Sequence, residues 1–177
     1  MTCGKCPLAP FNNFEIVKSR GNINGKIFII GESPGYKDKK LGYAFVGKTG
    51  NFVQSFVNDY GLNGLVYFSN AVKCRAPNNR TPYNIELKTC RPRLLDEIGT
   101  GKPNIIILLG NTAINQFFGK AINAVSKLNN KVVKYGNTFI IFGFHPAYVM
   151  NDNRDHHYHK LFMITRAIYK LKVSKYI

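Results

Sequence analysis

A chain of 177 residues, 45% of them hydrophobic, is sized for a single domain with a substantial core, and residues 1–177 are read as one. Its 25 Lys and Arg against 9 Asp and Glu give a formal charge of +16, which predicts a polyanionic partner, nucleic acid ahead of an anionic membrane. No run reaches the ~20 apolar residues of a membrane span, and MTCGKCPLAP lacks the apolar stretch of a signal peptide, so an intracellular protein with no membrane partner is expected.

Pro7 to Gly25 is polar and Asn-rich and should be irregular, with a short turn of helix. Lys26 to Ile30 is β-branched and aromatic, which suits a buried strand. Gly31 to Gly50, GESPGYKDKKLGYAFVGKTG, follows as a glycine-rich loop of roughly twenty residues, a length uncommon in a compact domain unless the loop is functional. A helix is expected from about Asn51 to Tyr60, then a strand over Leu65 to Ser69 that ends at Asn70. Ala71 to Tyr83 is a second polar loop, and Asn84 can cap a helix running to about Ile98, which Pro92 should kink or split. Asn104 to Leu109, NIIILL, reads as a buried strand, with a helix from Gly110-Asn111-Thr112 through about Phe118. Val132 to Tyr135 and Thr138 to Phe142 flank Gly136-Asn137, the pattern of a hairpin with a type I′ turn. Phe144 to Tyr148 is expected as a loop, and a last helix from about Asp155 to Val173 bears Lys160, Arg166, Lys170 and Lys172. This alternation predicts an α/β fold of three layers around a mainly parallel sheet of about four to five strands. The loops after Ile30, Ser69 and Phe142 should meet at one edge of that sheet, where open α/β folds bind ligands.

Cys3, Cys6, Cys74 and Cys90 are the only cysteines. In a reducing compartment the Cys3/Cys6 CxxC points to a metal or a redox pair, and four converging thiolates suit zinc or an iron–sulfur cluster equally. Spacing does not choose between them.

Several motifs then occur in order. GESPG with AFVGKTG resembles the GEAPG…PFVGxAG signature of the family 4 (iron–sulfur) uracil-DNA glycosylases. Asn70 to Arg80 resembles that family's NxVKCRPPxNR, and Cys90-Arg91-Pro92 its CxP. Leu109 to Ala113 matches LGxTA, His145 to Tyr148 matches HPAY, and CGKCPL matches CxxCxL. The resemblance implies a uracil-DNA glycosylase-like domain acting in base excision repair, monomeric, with uracil-containing DNA as its partner. It also implies a structural [4Fe–4S] cluster on Cys3, Cys6, Cys74 and Cys90 that ties residues 1–25 to the core.

Excision requires the base out of the stack and read on its Watson–Crick edge. The amide of Asn70 can donate to uracil O4 and accept from N3–H. Phe45 can stack on the base, although aromatic residues are also ordinary core, and Gly31 and Ser33 belong to the same binding loop. His145 can donate to O2 as charge develops there, and Glu32 or Asp38 can stabilise the cationic sugar and orient water. Lys48, Arg75 and Arg80 are candidate phosphate contacts, with Tyr148, Val149 and Met150 as a wedge exposed at a loop tip. Ser33 stands where the family usually has Ala and cannot be assumed to be a base. Asp38 is one methylene shorter than the usual Glu, which raises an expectation of some activity on uracils with small C5 substituents. A scaffold that binds DNA without catalysis, and a redox module, are the readings from other classes.

Overall fold

The computed structural model describes residues 3–4, 6–122, 125–129 and 131–151. The helix expected from Asp155 to Val173, with its four cations, lies outside them.

Four runs of β-branched and aromatic residues form the parallel centre of the sheet: β2 (Ile27–Gly31), β3 (Val66–Asn70), β4 (Ile105–Leu109) and β6 (Thr138–Gly143). Two antiparallel strands flank them, β1 (Arg20–Gly21) and β5 (Val132–Tyr135), in the order β1-β3-β2-β4-β6-β5. The sheet of the described residues thus has six strands, more than expected. The two-residue β1 has no periodicity to read, and pairing with Tyr67 and Phe68 is what makes it a strand.

Side-chain alternation sorts the sheet into two apolar faces. Ile27, Ile29, Phe68, Ile107 and Ile141 pack with Val53, Phe56 and Val57 of α2 (Lys48–Asp59) and with Val149 of α6 (Pro146–Asn151). Phe28, Ile30, Ile106, Leu108 and Ile140 pack with Leu94 of α3 (Asn84–Gly101) and with Ala113, Ile114 and Phe117 of α4 (Asn111–Phe118). Two short helices complete the chain order, α1 (Tyr36–Leu41) and α5 (Val125–Leu128).

Three local expectations need correction. The loop from Gly31 to Gly50 contains α1 and the first turn of α2, because Asp38 closes a capping interaction on Gly35 and Gly47 caps α2. Helix α3 runs as one element through Pro92, whose side chain faces solvent. The β5–β6 turn has positive φ only at Gly136, the first of its two loop residues. This excludes type I′ and matches the Gly-first pattern of type II′.

Chain direction positions the site. From β2 the chain crosses to β3 on one side and then to β4 on the other, so the carboxyl end of β2 is the topological switch point. Gly31 and Asn70 end β2 and β3 as register partners, and His145 follows β6 by two residues.

Candidate active site

At that switch point lies a cavity of about 480 Å³, within the ordinary range of small-ligand sites. Gly31, Glu32, Ser33, Asp38, Phe45, Lys48, Asn70 and His145 all line it. The loop after β2, the end of β3 and the start of α6 therefore converge as expected.

Asn70 is 4% exposed, and its side-chain amide lies at the cavity floor beside Gly31. A Cβ on Gly31 would stand 2.6 Å from the Asn70 side-chain oxygen and 2.9 Å from the Phe45 ring, so only glycine lets the two meet. Phe45, 7% exposed, belongs to the core as well as to the cavity: its ring packs on Phe68 at 5.2 Å. Its φ of +60° is strained for an aromatic residue and is held from two sides. Arg20 on β1 donates to the carbonyls of Ala44 (2.7 Å) and Phe45 (2.8 Å), while the Phe45 backbone lies so close to Gly50 that a Cβ there would overlap it.

The backbone N–H of Ala147 donates to His145 Nδ1 at 3.2 Å, so Nδ1 is an acceptor and the proton sits on Nε2. Burial lowers the His145 pKa below its ordinary value, opposed in part by Glu32, and the imidazole is neutral near pH 7. Glu32 accepts a 2.6 Å hydrogen bond from the hydroxyl of Thr112, at the start of α4. A fourth loop, after β4, thus serves the site.

Cys3, Cys6, Cys74 and Cys90 line one cavity of about 370 Å³ between the N-terminal segment, the loop after β3 and α3. Burial first, and then the neighbouring thiols, push the Cys74 pKa up to about 12. Among the described residues no three Cys, His, Asp or Glu side chains are gathered tightly enough to hold a single ion. Four thiols around one shared space are a donor set that fits either a zinc ion or an iron–sulfur cluster.

The profile of the Uracil DNA glycosylase superfamily matches residues 18–171. A type-4 uracil-DNA glycosylase of Thermotoga maritima is 36% identical over 152 residues, covering 85% of this chain and 79% of its own length. Those of Saccharolobus solfataricus and Pyrobaculum aerophilum are 35% and 32% identical, covering 82% and 84% of this chain and 71% and 79% of theirs. The chain belongs to the type-4 uracil-DNA glycosylases.

Within this family member, several expected site residues are placed differently. Asp38 lines the pocket and both of its oxygens are engaged: Oδ1 accepts from the amides of Val46 (2.8 Å) and Gly47 (3.1 Å), and Oδ2 from that of Gly35 (2.9 Å). It braces the two rims of the pocket while lining its wall. Arg80 forks onto Glu86 at 2.7 and 2.9 Å and stacks on Tyr83, so its terminal nitrogens are already engaged. Arg75 does not line the pocket itself but contacts two residues that do: its Nε donates to Asn79 at 3.0 Å and its guanidinium lies 5.9 Å from the centre of the Tyr36 ring. Val149 is 0% exposed and belongs to the core, because HPAY opens helix α6 and turns that side chain inward. Tyr148 remains exposed at 57% and Met150 is half-buried, leaving a narrower wedge than expected. Arg20 and Thr112 were not expected at the site. Thr112 had a legible signal in the LGxTA match, whereas Arg20 had none.

Proposed function

We propose that this chain removes uracil from DNA by hydrolysing its N-glycosidic bond, leaving an abasic site. The observation that supports this most directly is the meeting of Asn70, Phe45, Glu32 and a neutral, Nε2-protonated His145 in one cavity. A base turned out of the duplex stacks on Phe45 while the Asn70 amide donates to O4 and accepts from N3–H. Cytosine, which presents a donor at position 4 and an acceptor at N3, mismatches both groups. As the C1′–N1 bond breaks, its electron pair passes to the base and collects on O2, where His145 Nε2–H donates. The sugar becomes cationic beside Glu32, one of whose oxygens is held by Thr112. A water oriented by Glu32 and Ser33 adds its oxygen to C1′, and its proton passes to the Glu32 carboxylate. Lys48, exposed at the start of α2 and on the pocket rim, serves the DNA phosphates, and Tyr148 and Met150 fill the gap left by the base.

The four cysteines hold a [4Fe–4S] cluster, which when bound fastens the N-terminal segment to α3 and the loop after β3. Anaerobically purified protein should carry about four irons per chain, and stoichiometric zinc without iron would overturn this assignment. For base reading, Asn70→Ala should lose roughly two orders of magnitude in uracil release, through loss of a paired donor and acceptor. Unchanged release would remove Asn70 from recognition.

A further inference from the structure

Lys73 stands three residues beyond Asn70, yet its side chain turns back beneath β3 and is 3% exposed. Its ammonium donates to the carbonyl oxygen of Asn70 at 3.1 Å, to the Ser69 hydroxyl at 2.5 Å and to the Glu97 carboxylate at 2.7 Å. Glu97, on α3, is held in turn by the hydroxyls of Ser19 (2.7 Å) and Ser69 (2.6 Å). The backbone of Lys73 is tied as well: its N–H donates to Cys90 Sγ at 3.3 Å, and its carbonyl accepts from Val17 N–H at 2.8 Å.

A buried ion pair is a poor way to gain stability, because desolvating two charges offsets most of their attraction, and an apolar pair of similar volume does as well. This one is aimed at a particular peptide. The Asn70 carbonyl is fixed by Lys73, and the next amide, that of Ala71, is fixed by the Gly31 carbonyl at 2.9 Å. With both ends of the peptide held, the Asn70 side chain leaves the backbone in one direction, into the cavity.

We propose that Lys73, held by Glu97, is a positioning residue for the base-reading amide of Asn70, and that its N–H bond to Cys90 makes the cysteine site and the uracil pocket one mechanical unit. This rests on the glycosylase reading above. It assigns a task to a lysine that touches neither substrate nor reacting atoms. Lys73 also links the two cavities directly: it lines the cysteine cavity and bonds to Asn70, which lines the uracil pocket.

The test is a mutant cycle. Removing Lys73 alone would strand the Glu97 carboxylate, so both charges are removed together in Lys73→Met/Glu97→Gln, and Glu97→Gln alone is a milder companion if the pair folds poorly. Single-turnover uracil release is measured for each, in the wild-type and in the Asn70→Ala background. The expected result is a loss of at least about tenfold in the wild-type background and less than about twofold when Asn70 is already absent, since residues acting through one another are non-additive. Equal losses in both backgrounds, or none in the first, would overturn the proposal and leave Lys73 a packing residue. Should wild type release no uracil, the glycosylase reading falls, and a crystal structure of the double variant decides the positioning question separately. A rotated Asn70 peptide supports it and an unmoved one rejects it.

Discussion

At the scale of single residues the site depends on where protons and lone pairs sit. The Ala147 N–H on Nδ1 leaves His145 a neutral donor, so no proton need be acquired before catalysis. His145→Ala should slow uracil release by roughly two to three orders of magnitude, the range for losing one transition-state donor, while DNA affinity changes much less. Equal losses in binding and rate would make His145 a positioning residue instead. Its pH behaviour has a definite sign. Burial depresses the folded pKa, so on acidification the unfolded chain takes up the proton first. The His145 contribution to stability is therefore intact above the unfolded value, about 6.5, and falls away as the pH drops from there toward the folded pKa. Nitrogen chemical shifts should show an Nε2–H tautomer still dominant at pH 6.5, and a half-protonated ring at that pH would contradict the assignment.

Asp38 links the residue scale to the element scale. Its three amide bonds join the start of α1 to the turn before α2, holding the rims of the pocket at a fixed spacing. Asp38→Asn would set an N–H₂ group against amide donors and should cost about 1–3 kcal/mol of stability, measurable as a lowered melting temperature. An unchanged melting temperature with altered preference between uracil and 5-hydroxymethyluracil would return Asp38 to the base edge. This residue also shows where sequence reading stops. The order GESPG, Asn70, HPAY was legible because short polar motifs at strand ends are local features, and β2, β3, β4 and the β5–β6 hairpin were legible as apolar runs. The inward turn of Val149, the fork of Arg80 on Glu86 and the reach of Arg20 from a two-residue strand depend on three-dimensional neighbours. So does the difference between a carboxylate that faces substrate and one that caps a helix.

At the scale of the whole molecule, a four-stranded parallel core presents Gly31, Asn70 and His145 at one edge, and Lys73 connects that edge to the cysteine cavity. The net charge of +16 belongs to the chain as a whole. Affinity for undamaged DNA should fall steeply and linearly in log–log form with salt, because each neutralised phosphate releases counterions. A salt-independent affinity would argue against electrostatic capture of the duplex. The central claim, that this cavity reads and releases uracil, is tested most directly by incubating the protein with oligonucleotides that differ only in one base, uracil, thymine or cytosine, and identifying the free base by mass. The account predicts free uracil and a matching abasic site from the first and no base from the other two; release of all three alike, or of none, would contradict it.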